Sequence, residues 1–293
     1  MTDLPFAHIG IYGVGLLGGS LGLALKARKP GVRILGIGRN AARLTRARER
    51  GAIDGFTCDA RACDEKLDLL VLCTPVRLLH QHFEESMTLL GPSSVVTDVG
   101  STKADVVSRC EAIAQGQCAF VGSHPMAGSH ETGVEAATEH LFENRVCVVT
   151  PTEQTDPAAL QSIQTLWKLI GMRVVSVGPG EHDRLTARSS HLPHLAAAAL
   201  IHAAMNEKQN LRPLIGSGFR DTTRIAAGDP QLWVDICLDN REELIAAMQG
   251  FQAEIGQFLD ALQKQDSEQL AALLKQAQDW RKSIDEPSAE PTP

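Results

Sequence analysis

At 293 residues, with 43% hydrophobic and 22% charged side chains, the chain has the make-up of an ordinary globular protein and suits two domains of about 100 to 200 residues each. A net charge of −7, with no basic cluster beyond an exposed-face helical spacing over 43–50, argues against a nucleic-acid or anionic-membrane surface. Nothing approaches the roughly 20 apolar residues of a membrane span, and Cys58, Cys63, Cys73, Cys110, Cys118, Cys147 and Cys237 are scattered and never spaced C-x-x-C, as reduced thiols rather than a disulfide frame or a zinc site.

The first strand is expected over 7–12, where an apolar run meets Gly13-x-Gly15-x-x-Gly18 and passes directly into a helical pattern over Leu16–Arg28. A dinucleotide pyrophosphate needs that order: one glycine for the tight turn, one to let backbone approach the phosphates, one to let the helix lie on the sheet. The positive helix N-terminus then faces the anion, so Gly13, Gly15, Leu16, Leu17 and Gly18 are the expected cofactor contacts. This run lacks a basic leader and is interrupted by glycines, so it does not read as a signal peptide, and the cytoplasm is the expected location.

A second strand is expected over Arg33–Ile37, followed by Gly38, Arg39 and Asn40 where an acid would otherwise bond the ribose 2′-hydroxyl. A guanidinium with no neighbouring carboxylate suits a 2′-phosphate, so Arg39 favours NADP, with NAD possible. Further strands are expected over 67–73, 94–99, 119–122, 146–150 and 172–177, with helices near 77–90, 102–114 and 157–170. This alternation implies an α/β fold with a Rossmann-type, doubly wound, mostly parallel sheet and a ligand site at the carboxyl ends of its strands.

Strand signals cease beyond Gly178-Pro179-Gly180, which places a dinucleotide-binding domain over 1–178 and an all-helical C-terminal domain over 179–284. The residues beyond, 285–293, are too polar and proline-rich to fold. One long helix is expected over 182–205, kinked at Pro193. Asp229-Pro230 is a helix start, and the helix after it carries a stripe of Leu244, Met248, Phe251, Ile255, Phe258 and Leu262, a coiled-coil-like seam. A last helix over 267–284 can lie beside it, and a domain with so little core of its own gains by pairing, so a homodimer through these helices is expected.

Three segments carry polar groups where such a fold puts its site. Ser101 follows a strand and opens a helix, where its hydroxyl or that of Thr102 can cap the free amides. His124 lies in Gly122-Ser123-His124-Pro125-Met126-Ala127-Gly128-Ser129, expected as a rigid loop at a strand's carboxyl end, and a histidine there suits hydride transfer from an alcohol, because a neutral imidazole can accept the hydroxyl proton. His191 and His194 share a helix face, and Arg220 and Arg224 downstream, with Asp221 and Trp233, offer binding for a carboxylate. No metal is expected, since the histidines lack zinc-site spacing and an acid partner.

Taken in order, GVGLLGGSL, LCTP, VTDVGSTK, SHPMAGS, TPTEQTDP, SSHLPH and GFRDTTRIAAGDPQLW resemble the prephenate and arogenate dehydrogenases of tyrosine biosynthesis over nearly the whole chain. The resemblance implies that hydride leaves C4 of a cyclohexadienol for the nicotinamide while the ring carboxylate departs as carbon dioxide. It implies that His124 accepts the C4 hydroxyl's hydrogen bond, with Ser101 as its partner beside the nicotinamide, and that Thr74 and Pro75 touch the cofactor. Arg224 would hold a substrate carboxylate, supported by Arg220, Asp221 and Trp233, with His194 along the substrate side chain. GIGRN and TPTEQTDP resemble the NADP-linked arogenate type, whereas His194 resembles prephenate users, which leaves prephenate favoured and arogenate open. A β-hydroxyacid dehydrogenase would use a lysine on the long helix, and 183–205 contains none; a non-catalytic NADP sensor would leave His124 idle.

Overall fold

The computed structural model describes residues 4–128, 131–205 and 211–285, so 286–293 of the expected tail and Ser129 of the SHPMAGS segment lie outside the described residues, while Asp285 ends the last helix. The chain divides into two compact units, Met1–Asn240 and Arg241–Pro293.

In the first unit an eight-stranded sheet runs in the order β3-β2-β1-β4-β5-β6-β7-β8. Its strands are β1 His8–Tyr12, β2 Arg33–Ile37, β3 Gly55–Thr57, β4 Leu69–Leu72, β5 Val95–Asp98, β6 Ala119–Pro125, β7 Val146–Thr150 and β8 Arg173–Ser176. Every pairing is parallel except β6 with β7. The central strands are buried on both faces, which is why they read as continuous apolar runs. Successive residues serve opposite layers: Leu69 and Val71 join the core around Ile9, Ile11 and Trp167, while Leu70 and Leu72 join the one around Phe83 and Phe120.

The helices of this unit are α1 Leu16–Arg28, α2 Ala41–Glu49, α3 Leu79–Glu85, α4 Ala104–Ala114, α5 Pro157–Leu169, α6 Pro179–Thr186, α7 Leu192–Met205, α8 Ser217–Thr223 and α9 Pro230–Asp239. Local chemistry explains several boundaries. Asp156 caps α5 by accepting from the Ala159 amide at 2.8 Å, and Asp229 caps α9 through the Leu232 amide at 2.9 Å, each with proline at the first helical position. The helix expected over 77–90 is instead three short pieces, because the Ser86 hydroxyl bonds back to the His82 carbonyl at 2.7 Å where α3 ends.

Three other differences bear on the site. β6 runs to Pro125 rather than stopping at Gly122, since β7 arrives antiparallel and pairs with Gly122 to Pro125 beyond the stretch held by β5. The helix expected from 182 begins at Pro179, whose ring has no N–H to lose at that position. That helix does not stop at Pro193: a π-helical turn over Ala187–His191 joins α6 to α7 and absorbs the proline's missing donor. Residues 55–57 form a strand with only Phe56 as an apolar side chain, too short for a pattern to mark.

The second unit is a helical hairpin of α10 Arg241–Lys264 and α11 Ser267–Asp285, reversed at Gln265 with φ 54° and at Asp266, which caps the Gln269 amide at 2.9 Å. On α10, Met248, Phe251, Ile255 and Leu262 are 40–60% exposed, and Trp280 and Ile284 on α11 are also exposed. Such a stripe has no covering surface within the described hairpin.

Candidate active site

The nucleotide cradle lies where β1 hands over to α1. Gly13 takes φ +94°, and its amide donates to the Ile37 carbonyl at 2.8 Å, turning the chain over the end of β2. A Cβ on Gly18 would come within 2.3 Å of the Gly13 carbonyl, so only glycine lets α1 start this close to the turn. A Cβ on Gly15 would meet nothing within 4 Å and would project into open space, where an approaching phosphate has to fit. Among the described residues no side chain caps the first turn of α1 and no acid stands there, which leaves the amides of Leu16, Leu17 and Gly18 open to an anion.

A cavity of about 380 Å³ opens beside this turn, lined by Gly13, Gly15, Arg39, Thr74 and Pro75 among others. Arg43 joins Arg39 on its wall, positioned by Asn40, which caps α2 through the Arg43 amide at 3.1 Å. Neither guanidinium forms an ion pair among the described residues. Thr74 is held by its hydroxyl, 2.9 Å from Nδ1 of His82, whose ring stacks on Tyr12 at 4.2 Å. The residues present therefore fit a dinucleotide. A larger hollow of about 730 Å³ lies against Ser94, Val95 and Ala119, at the opposite ends of the strands, away from where such sheets bind ligands.

His124 stands on β6, paired with Val148 of β7, so a strand rather than a loop fixes its backbone. Beneath it lies a buried polar platform. Asp98, at the end of β5, accepts from the Gly100 amide at 2.7 Å and the Ser123 amide at 3.1 Å, and pairs with the ammonium of Lys103, both side chains fully buried. Such a pair contributes geometry more surely than net stability. The Ser123 hydroxyl donates to the Asp98 carbonyl at 2.7 Å and receives the Trp167 indole N–H at 3.1 Å, tying α5 to the same point.

Nδ1 of His124 lies 2.9 Å from Nε2 of His182, the rings meeting edge-on. Nδ1 of His182 lies 2.7 Å from Oδ1 of Asp183, whose two oxygens also accept the amides of Lys103 and Ala104, each at 2.8 Å. Asp183 of α6 thus caps α4, which neither Ser101 nor Thr102 does. Nδ1 of His124 faces His182 rather than Ser101, the partner expected from the sequence, which stands half-buried in the loop between β5 and α4. Burial, with the neighbouring His182, Lys103 and His191 adding, holds the His124 imidazole well below the ordinary histidine value, so it is neutral.

His191, on the π-helical turn, is buried and held at about 4 chiefly by burial. Its Nδ1 lies 3.2 Å from the Asn240 amide nitrogen, which donates to it and to the Asp183 carbonyl at 2.8 Å. His191 is therefore protonated on Nε2, a buried donor with no partner among the described residues. His194 stacks on Trp233 at 3.5 Å, its own Nδ1 without a partner among the described residues, and burial pushes its pKa down too. Arg220, Asp221 and Arg224 are exposed, on α8 and the turn after it, which pack on α7; none forms an ion pair among the described residues. His191, His194 and Trp233 are thus brought together in contact, whereas Arg220, Asp221 and Arg224 stand near them on neighbouring elements. Arg77, missed at the sequence level, bridges the loop after β4 to Asp235 of α9 at 2.9 Å. Among the described residues no group of three His, Cys, Asp or Glu side chains could hold a metal ion.

A dinucleotide cradle and a neutral imidazole at carboxyl ends of strands in one sheet define a nicotinamide-dependent oxidoreductase. Residues 21–176 match the family profile described as prephenate dehydrogenase, nucleotide-binding domain, and residues 178–276 the one described as prephenate dehydrogenase, dimerization domain. The prephenate dehydrogenase of Bacillus subtilis is 36% identical over 93% of this chain and 74% of its own length. Among solved structures, prephenate dehydrogenase from A. aeolicus, in complex with hydroxyphenyl propionate and NAD+, is 32% identical with a TM-score of 0.91, covering 97% of this chain and 100% of that one. Synechocystis arogenate dehydrogenase is 32% identical with a TM-score of 0.82, covering 94% and 99%. The chain belongs to the prephenate dehydrogenase family.

Proposed function

We propose that the enzyme oxidises and decarboxylates prephenate, with arogenate as the alternative substrate, and that it uses NADP in preference to NAD. The observation that carries this reading is the buried, neutral His124 imidazole, held by Nδ1 so that Nε2 is left for a ligand. Arg39 and Arg43, unpaired on the wall of the nucleotide cavity, support the 2′-phosphate.

Bound nicotinamide supplies the hydride acceptor. Hydride leaves C4, the electron pair of the bond to the ring carboxylate moves into the ring as carbon dioxide departs, and the ring becomes aromatic. The hydroxyl retains its proton as the phenol's, so the protein has to orient and polarise rather than remove a proton outright. Nε2 of His124 accepts the hydroxyl's hydrogen bond, which strengthens as C4 becomes electron-poor, a stabilisation realised mainly in the transition state. Ser101 supports that end of the pocket beside the cofactor. Arg224 binds a substrate carboxylate, aided by Arg220 and oriented by Asp221. Trp233 and His194 wall the side chain, and the unpartnered Nε2–H of His191 donates to an anionic oxygen.

A dinucleotide-binding part over 1–178 and a helical substrate and dimerisation part over 179–284 are supported by the matched ranges 21–176 and 178–276, whereas the chain packs as compact units divided after Asn240. The exposed apolar stripe of α10 supports a homodimer through the C-terminal helices. Free thiols at all seven cysteines suit the cytoplasm, and no described helix is long and apolar enough to cross a membrane. The test crosses NAD and NADP with prephenate and arogenate and follows the reduced-nicotinamide absorbance. The fastest formation is expected with NADP and prephenate, and no reduced cofactor with either substrate would overturn the reading.

A further inference from the structure

We propose that His182 and Asp183 are positioning residues that lock His124 in the one tautomer able to accept the substrate hydroxyl, with hydrogen on Nδ1 and the lone pair on Nε2. The inference rests on the reading that Nε2 of His124 meets that hydroxyl. It follows from counting donors along a chain of contacts that no residue motif announces.

The chain starts at the backbone. Both oxygens of Asp183 already accept amide hydrogens, from Lys103 and Ala104, at the N-terminus of α4 where the helix dipole favours a carboxylate. The 2.7 Å contact between Asp183 Oδ1 and His182 Nδ1 therefore carries its hydrogen on the nitrogen. A neutral imidazole protonated on Nδ1 presents a bare lone pair on Nε2. That lone pair faces Nδ1 of His124 at 2.9 Å, so the hydrogen of this second contact belongs to His124. The remaining nitrogen, Nε2 of His124, is then an acceptor. The opposite arrangement, with His182 donating through Nε2 while neutral, would leave two lone pairs facing each other at the Asp183 contact.

The chain is anchored at both ends. Asn240 donates to the Asp183 carbonyl at 2.8 Å, and the Thr186 hydroxyl donates to the His182 carbonyl at 2.9 Å. His182 and Asp183 are both nearly fully buried, so water does not compete for either hydrogen bond. The charged and titratable groups facing the two rings are Lys103 from the start of α4, paired with Asp98 of β5, His191 from the π-helical turn, and Asp183 itself. The geometry is that of a carboxylate–histidine pair orienting a second histidine. In hydrolytic triads the equivalent carboxylate acts by fixing the tautomer, and its loss is felt in turnover.

Two measurements test this. In nitrogen-15 NMR of the folded protein without substrate, His124 and His182 should both show the Nδ1-protonated pattern; a His124 protonated on Nε2, or a His182 carrying both hydrogens, overturns the proposal. In kinetics, His182→Leu removes the acceptor while His182→Gln can restore it through Oε1. The expected result is a kcat about 100-fold lower for the leucine variant, with KM and the cofactor Kd within about threefold. The glutamine variant should recover most of the loss. Wild-type kcat in His182→Leu, or equal losses in both variants with retained thermal stability, overturns it. Failure of the functional reading looks different, since it leaves the wild type without reduced cofactor whatever the tautomers.

Discussion

At the scale of single residues the site is built from histidines kept neutral. Burial does most of this, and the consequence reaches stability as well as chemistry. His191 binds its proton at about 4 in the fold against 6.5 in the unfolded chain, so between those values the unfolded chain holds more protons. Its contribution to stability is complete above pH 6.5 and is lost as the pH falls toward 4. That loss is on the order of 3 kcal/mol. Urea unfolding of the protein and of His191→Gln, each at both ends of this window, should show the wild type losing more stability by that order; equal losses would contradict the assignment. His124 was legible in the sequence because it sits among glycines and a proline at a strand end. His182 and Asp183 were not, because His182 meets His124 58 residues away, Asp183 meets Lys103 80 residues away, and a helix face carries no mark of what it caps. Arg43 was hidden for a related reason: its helix reads as a solvated basic surface until the cavity beside it is known.

At the scale of elements, the parallel strands and the helices between them were legible where apolar runs are long and glycine or proline marks the ends. Strand direction was not: β7 has the same all-apolar look as its parallel neighbours, and only the pairing of His124 with Val148 reveals that it runs the other way. That reversal lengthens β6 by four paired residues and puts the imidazole on a rigid strand. The π-helical turn before Pro193 was half legible, since proline announces a disturbance but not its form. One of the tight element contacts is that of α1 with the turn after β1. Gly18→Ala would set a Cβ 2.3 Å from the Gly13 carbonyl and 2.9 Å from Ile11, with backbone on one side and a buried chain on the other. We expect the NADP Kd of that variant to rise at least about tenfold, through loss of the amide cradle, together with a lower Tm. Cofactor titration by fluorescence checks this, and an unchanged Kd would show that α1 can shift without cost to the cradle.

At the scale of the whole molecule, the second unit leaves Phe251 and Ile255 exposed on a 24-residue helix, a surface that a single hairpin does not cover. The expected dimer makes that surface an interface, and Phe251→Asp would place an unpaired charge within it. Sedimentation should give twice the chain mass for the wild type and a shift toward the monomer for the variant at micromolar concentration; a monomeric wild type would contradict the dimer. The stripe was legible from its spacing, but whether it faced the same chain or another was not, since both readings need the same residues. In the proposed reaction the cradle, the histidine chain and the arginines act together on one chemical event, hydride transfer coupled to loss of carbon dioxide. Single-turnover kinetics with NADP and prephenate, comparing wild type with His124→Asn, measure that event directly. Binding should persist, while hydride transfer and carbon dioxide release slow together by about 100- to 10,000-fold; unchanged hydride transfer in the variant would contradict the role of the imidazole.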